Sequence, residues 1–384
     1  MKILISGAGI AGLTLAYWLK KRGFTPTVVE KHPCLRKGGY KVDVRGAAIE
    51  VVKRMGIHQK LLDANVNILH SKFVTSNGKI FEFDGDITGL SSEGEIEVNR
   101  WDLSRIISET LDGIEMIFHD AITKIDAEKM VYFEKSSPRE FDLVIGADGL
   151  RSNVRRLAFG EDSKFLKEYG IHFCIYPIKN IFDLDRTELV YFDKGKLVSA
   201  YAVNNNSLAA LAYKSEKNRA LSCENPKAVF EEQFKDLGWE IPWFLNAMKA
   251  SDNCYFDSLA QVSMPCWSKG RVALVGDAAY AASGASGMGT SMAIVGAYVL
   301  AREIELVKGD YRIAYANYEK SIWEYVEKGQ KLAESSNRMM TRKSSSILVK
   351  SQLYLMKLMP KKFFHFWAKV GRRRMRKVAD SISL

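Results

Sequence analysis

Gly7-Ala8-Gly9-Ile10-Ala11-Gly12 is a glycine pattern with a definite physical use. The first glycine permits a tight turn, the second lets backbone approach a pyrophosphate, and the third lets a helix pack on a strand. The N-terminus of the helix that follows then offers free N–H groups and a partial positive charge to phosphates. Glu30 stands 18 residues after Gly12, at the end of the next apolar run. An acid there can accept both hydroxyls of an adenosine ribose. The competing explanation is a glycine-rich turn of an ordinary α/β protein. A strand before, a helix after and an acid at this distance favour dinucleotide binding.

Two later segments have the same flavour. Asp277 ends the run Arg271-Val-Ala-Leu-Val-Gly276 and precedes Gly284-Ala-Ser-Gly287-Met288-Gly289. Its carboxylate is suited to hold polyol hydroxyls, and the glycine turn to bring N–H groups onto an anionic ring edge. A helix-capping Asp is the commoner explanation for one such residue taken alone. The Asp148-Gly149 turn, after the strand Phe141–Ile145, likewise has an ordinary explanation, a strand-to-turn signal. No Ser-His-Asp, HExxH or metal-ligand spacing is present, and the six histidines are scattered. No metal and no catalytic side chain are therefore expected, and the hard chemistry falls to a cofactor.

The elements that must position these residues can be read from periodicity. Residues 2–6 form a short apolar strand, Ile10–Lys21 a helix closed by Gly23, and 27–30 a second strand, which together make one βαβ opening. Residues 46–63 look helical, 69–98 β-like, and 100–111 helical again. Residues 165–215 alternate as strands around a hairpin turn at Asn204-Asn205-Asn206, and the chain from Gly287 onward is helical, with breaks near Pro360 and Gly371. The expected class is α/β: a Rossmann-type cofactor domain (1–64, 96–160 and 256–308) with an inserted antiparallel β-sheet substrate domain (65–95 and 161–255). A C-terminal helical region (309–384) carries a basic tail.

Length and charge set the outer limits. A chain of 384 residues with 47% apolar and 26% charged residues suits two or three packed domains, not disorder. The net charge is +11, and the 12 Lys/Arg against one Asp in residues 342–384 account for all of it. The body is neutral and offers no basic face for nucleic acid. Five cysteines without a CxxC pair argue against a disulfide scaffold and suit a reducing compartment. With no signal-like or membrane-spanning run, the expected location is cytoplasmic.

Taken together, the three motifs and Arg100-Trp-Asp-Leu103 resemble the signature of class A flavoprotein monooxygenases, enzymes of the para-hydroxybenzoate hydroxylase fold. A closer resemblance is to the tetracycline destructases. Arg36-Lys37-Gly38-Gly39, Asp43-Val44-Arg45-Gly46, Val98-Asn99-Arg100-Trp101-Asp102-Leu103 and Ser268–Tyr280 carry it. The resemblance implies FAD, NADPH or NADH, and O2, and hydroxylation of a tetracycline-like polyketide through a flavin C4a-hydroperoxide. It implies FAD contacts at Glu30, Asp43, Arg100 and Asp277, a place for Arg36 near the nicotinamide path, and a joint FAD and NAD(P)H role for Asp148. Gly7, Gly9, Ala11, Gly12, Lys31, Gly39, Gly287, Met288 and Gly289 complete the expected cofactor set. Tyr280 stands where the family has His, and the family's prolines are missing from residues 281–286, both beside the expected flavin ring. Two alternatives keep the cofactor: the same chemistry on another aromatic or polyketide phenol, and a membrane-associated FAD-dependent reductase.

The substrate face is expected on the inserted sheet. Tyr201 and Tyr213 would stack on a ring system and Lys214 would hold an enolate or carboxamide oxygen. A small-molecule substrate and a monomer are expected. The aromatic block Phe363–Trp367 is large enough to need burial. The tail is thus expected to cover the substrate opening in preference to lying on a membrane, and its deletion to leave FAD bound.

Overall fold

Ile3-Leu4-Ile5 and Val144-Ile145 are apolar at consecutive positions, so both faces of these strands demand cover, and the chain supplies it with helices. The structure, a computed structural model, describes residues 1–36, 38–84, 94–203, 206–215, 224–340, 351, 353–355, 358, 373 and 375–384. In chain order the strands are β1 (Lys2–Ser6), β2 (Thr25–Glu30), β3 (Lys41–Val44), β4 (His70–Val74), β5 (Ile80–Asp84), β6 (Ile96–Asn99), β7 (Glu115–Phe118), β8 (Ile122–Ile125), β9 (Met130–Phe133), β10 (Arg139–Glu140), β11 (Leu143–Gly146), β12 (Leu166–Ile178), β13 (Thr187–Asp193), β14 (Lys196–Val203), β15 (Asn206–Lys214), β16 (Tyr255–Val262), β17 (Ser268–Lys269) and β18 (Val272–Leu274). The described helices are α1 (Ile10–Lys21), α2 (Ala47–Arg54), α3 (His58–Asp63), α4 (Arg100–Ser108), α5 (Asn153–Phe159), α6 (Pro226–Phe234), α7 (Ile241–Ala250), α8 (Asp277–Tyr280), α9 (Gly289–Leu306) and α10 (Tyr311–Met340).

A six-stranded sheet runs in the order β17-β18-β11-β1-β2-β7, parallel except for the edge strand β17. Ile3 pairs with Leu143 on one side and Pro26 on the other, which puts β1 at the centre. α1 packs against α9, which is buried almost all round. The chain is thus mixed α/β, with a Rossmann-type half.

The second sheet has seven strands in the order β16-β12-β15-β14-β13-β4-β5. Its back face buries Tyr176, Tyr191, Leu211 and Tyr213 against Phe230 and Phe234 of α6 and Phe244 of α7. Two features differ from the sequence expectation. β4 pairs parallel to β13, so the sheet is not wholly antiparallel. β16 hydrogen-bonds β12 and joins this sheet, so a boundary at 256 assigns one strand to the wrong half. Nothing in an apolar eight-residue run says which of two sheets it extends.

The C-terminal residues return to the first half. Met375, Val378 and Ala379 are buried, and Ile382 and Leu384 pack on the same core. A Cβ on Gly46, whose φ is +50°, would overlap the Ala379 carbonyl. The aromatic block Phe363–Trp367 lies outside the described residues. Among the described residues no helix is long and apolar enough to cross a membrane.

Candidate functional site

The three glycine-containing motifs meet beyond the C-terminal edge of the parallel strands, where open α/β sheets take ligands. A Cβ on Gly7 would lie 2.6 Å from the Ala147 carbonyl and 2.9 Å from the Asp148 Cα, so the first two motifs touch backbone to backbone. A Cβ on Gly276 would lie 2.8 Å from the Cβ of Ala11, which brings the third motif onto α1. Ala11 therefore serves as packing for this junction.

Two glycines in the first motif do different work. A Cβ on Gly12 would overlap the Gly7 carbonyl, so Gly12 lets α1 close on β1. A Cβ on Gly9 would meet only Arg100 Nη2, at 3.9 Å, so that backbone faces open space under a guanidinium. Gly9 is the N-cap of α1, and no side chain caps this end of the helix. The first-turn N–H groups of α1 are thus suited to an anion. Glu30 Oε2 accepts from the Ala8 N–H at 2.8 Å and Oε1 from the His32 N–H at 3.0 Å. Each oxygen keeps acceptor capacity for a ribose hydroxyl. Lys31 is exposed just beyond β2.

Arg100 opens α4 because its N–H donates to the Tyr40 carbonyl at 3.0 Å. Its side chain passes 3.3 Å from the Cβ position of Gly39 on the way to Gly9. Asp277 begins α8 and reaches open space, and a Cβ on Gly289, the first residue of α9, would lie 3.8 Å from its Oδ1. Surrounding protein desolvates this carboxylate and raises its pKa, the Arg100 guanidinium opposes the rise, and Asp257 adds to it. The α9 N-terminus also lacks a side-chain cap, and Gly287 (φ +61°) and buried Met288 lead into it. Uncapped helix N-termini therefore stand at both ends of one cleft, with the Arg100 cation beside Gly9 and acids placed for hydroxyls. This donor set fits an FAD molecule: phosphates at α1, polyol at Asp277, ring edge at α9.

The sheet side of the cleft is aromatic. Tyr40 stacks on Tyr255 at 6.4 Å and meets the edge of Phe173 at 6.5 Å. The Arg36 guanidinium lies 4.3 Å above the Tyr255 ring, and the Tyr255 hydroxyl donates to Asp257 Oδ2 at 2.6 Å. Burial raises the Tyr40 pKa most, Asp277 raises it further, and Arg100 opposes.

Several expected site residues are used differently. The Asp148 carboxylate accepts from Ser152 Oγ at 2.5 Å and from the N–H groups of Asn153 and Val154 at 2.8 and 3.0 Å. It anchors the first turn of α5, whose N-cap is Ser152, and its backbone abuts Gly7. Asp43 Oδ1 pairs with buried Arg45 at 2.9 Å, and its carbonyl accepts from Ser291 Oγ at 3.2 Å. Asp43 thereby braces the first turn of α9, 3.5 Å from the Cβ position of Gly287.

Tyr201, Tyr213 and Lys214 are not brought together. The Tyr201 hydroxyl accepts from the Lys41 N–H at 3.1 Å, beside a Lys41 ammonium held between Glu97 (3.0 Å) and Glu188 (3.3 Å). Tyr213 faces the back of the sheet, edge-on to Phe230 at 5.1 Å, and Lys214 is exposed at the strand end. Tyr280, expected beside the ring, points into the core instead. It packs edge-on to Trp267 at 4.8 Å, and its hydroxyl accepts from Tyr318 at 3.1 Å. Sequence reasoning missed Tyr40, Phe173, Tyr255 and Asp257. The only signal for them was alternation, which puts residues 173, 255 and 257 on one face once the β12–β16 register is known.

A glycine-cradled helix N-terminus and ribose acid, facing a second acid and helix N-terminus along one cleft, define an FAD-dependent oxidoreductase. A family model described as an FAD binding domain matches residues 1–311. A flavin-dependent monooxygenase of Legionella longbeachae is 35% identical over 339 residues, which cover 86% of this chain and 87% of that one. An uncharacterised Mycobacterium tuberculosis protein is 38% identical over 346 residues, 87% of this chain and 93% of its own. Among solved structures, tetracycline destructase Tet(51) superposes with a TM-score of 0.86 at 32% identity, over 100% of this chain and 98% of that one. Tet(55) gives 0.84 at 33% identity, with the same coverage. The chain belongs to the FAD binding domain family of class A flavin-dependent monooxygenases. It is an FAD-dependent enzyme whose reaction takes O2 and a small-molecule substrate.

Proposed function

We propose that this monooxygenase takes electrons from NADPH or NADH and hydroxylates, and so inactivates, a tetracycline-type antibiotic. The observation that carries the reading is full-length likeness to two tetracycline destructases. When bound, FAD supplies hydride acceptance and oxygen activation. The chain supplies position, charge and dryness. Glu30 holds the adenosine ribose, the α1 N-terminus with Arg100 holds the pyrophosphate, and Asp277 holds the polyol. The α9 N-terminus stabilises negative charge at the ring edge. The Tyr40–Tyr255–Phe173 wall stacks a flat polycyclic substrate and keeps water from the reacting carbon. Arg36, which already sits over an aromatic face, offers a cation to the nicotinamide cofactor's phosphates or to an enolate oxygen. No side chain forms a covalent bond with substrate.

The test is aerobic incubation of purified enzyme with tetracycline, FAD and NADPH. Loss of the tetracycline chromophore together with a product heavier by one oxygen is expected. Substrate-stimulated NADPH oxidation with a phenol but not with tetracycline would move the substrate to the second reading, another aromatic or polyketide phenol. That reading draws on the same wall, which accepts any flat ring. Asp277→Ala is expected to weaken FAD retention ten- to a hundred-fold, by about 1.5–3 kcal/mol for a charged hydrogen bond. Flavin absorbance after gel filtration checks this, and the same column tests the proposed monomer.

A further inference from the structure

Two cysteines that the oxygenation chemistry does not use come together on the back of the seven-stranded sheet. Cys174 lies opposite Phe256 in the β12–β16 ladder. Cys254, two residues before Phe256 and just ahead of β16, is therefore its diagonal neighbour. The two thiols are near enough to perturb each other's titration. They differ in access: Cys174 is fully buried, while Cys254 is half-buried at the open end of the ladder. The Cys254 Sγ also reaches the Met248 and Ser251 carbonyls, at 3.4 and 3.6 Å. The Lys227 ammonium is fixed nearby by hydrogen bonds of 2.7 Å to the Ser251 carbonyl and 3.0 Å to the Lys249 carbonyl. The Cys174 thiol, with help from Ser251 and Lys227 and against desolvation, pulls the Cys254 thiol down to about 7. The same proximity and burial push Cys174 up. This is the asymmetry of an attacking and a resolving thiol.

We propose that Cys254 is a site of oxidation by hydrogen peroxide, resolved by Cys174 into an intrachain disulfide. The oxidant is the by-product a flavin monooxygenase releases when reduction runs without hydroxylation. In the first step the Cys254 thiolate attacks one oxygen of hydrogen peroxide. The S–O bond forms, the O–O bond breaks and hydroxide leaves, giving a sulfenic acid. In the second step the Cys174 sulfur attacks the Cys254 sulfur. The S–S bond forms, and the sulfenic hydroxyl leaves with the Cys174 proton as water. Two thiols and one peroxide become one disulfide and two waters. Closing the bond needs the sulfurs at about 2.05 Å, so Cys254 must leave the Met248 carbonyl by side-chain rotation. The disulfide would tie the start of β16 to β12 beside Tyr255, whose ring forms the cleft wall. Peroxide from uncoupled turnover would then act back on the site that made it.

The experiment treats the FAD-loaded protein with a few equivalents of hydrogen peroxide, traps free thiols with iodoacetamide, and maps peptides without reduction. A Cys174–Cys254 cross-linked peptide is expected, lighter by two hydrogens and reversed by dithiothreitol. The cross-link disappears in Cys254→Ser, which keeps full activity under reducing conditions. Cys174→Ser is expected to leave a dimedone-reactive sulfenic acid at Cys254. Oxidation confined to exposed Cys34, with residues 174 and 254 still alkylated, overturns the proposal. So does a Cys174→Ser protein that is folded by circular dichroism and gives no dimedone adduct at Cys254. Neither readout depends on the identity of the substrate.

Discussion

At Gly9 and Gly12 one motif gives two different outcomes. Gly12→Ala pushes a methyl into the Gly7 carbonyl and forces α1 off β1. The expected result is a loss of about 1–3 kcal/mol of stability together with FAD, as for overpacked cores. Gly9→Ala places its methyl in open space below Arg100, so Tm is expected to hold while flavin content falls. Tm and flavin absorbance measured on both variants separate a packing glycine from a ligand-facing one. Tyr280 makes a pH prediction. Burial raises its hydroxyl pKa to about 12, against an ordinary value near 10. A group whose folded pKa is raised contributes stability that is complete below its unfolded pKa and lost as pH rises through the folded one. Urea midpoints should therefore fall between pH 10 and 12. Tyr280→Phe should flatten that fall by up to ~2–3 kcal/mol, at a cost of about 1 kcal/mol at pH 7 for the lost hydrogen bond to Tyr318. Gly7, Gly9, Gly12, Glu30 and Asp277 were legible because each answers to a local rule about turns, helix ends or strand ends. Asp148 is engaged by the first-turn N–H groups of α5, five and six residues on, while Ser152 caps that helix. Tyr40, Tyr255 and Asp257 obey no local rule and meet only when two sheets face each other.

Among the elements, the hairpin β14–β15 shows how one residue of turn length decides a face. Val203 pairs with Asn206, so Tyr201 lies opposite Leu208 and shares its face. Tyr213 is five residues beyond Leu208, an odd step, and so must point to the other face. The three-residue turn expected at Asn204-Asn205-Asn206 would put the two tyrosines on one face, whereas the observed pairing of Val203 with Asn206 separates them. β16 was not legible in the same way, because sheet membership depends on partners about 90 residues earlier in the chain. The C-terminal segment carries a prediction at this scale. Ala379 closes on the Gly46 backbone, and Met375 approaches both Arg45 and the Cβ position of Gly287. Gly46→Val should unseat residues 375–384, exposing the C-terminus to limited proteolysis and loosening FAD. Deleting 361–384 should do the same, contrary to the expectation from motifs alone, because the deletion uncovers core next to the ring-side glycine turn.

For the whole molecule, the neutral body and basic tail were readable from arithmetic, and the mixed α/β class from periodicity. The order of strands in each sheet was not, because it is set by which apolar faces can be covered together. That order has a consequence for birth on the ribosome. β1 leaves the tunnel first and meets β2 at once, but its other neighbour β11 and, beyond that, β18 lie at residues 143–146 and 272–274. At about 5–20 residues per second, the central strand waits roughly 15–55 s for the sheet around it to be complete. β13, β14 and β15 are sequence neighbours and can pair as soon as they emerge. The inserted sheet is therefore free to organise while the β18 edge of the first sheet is still open. A nascent chain stalled before residue 272 has its amino-terminal strand and no finished cradle for a nucleotide, so flavin capture belongs to the last third of synthesis.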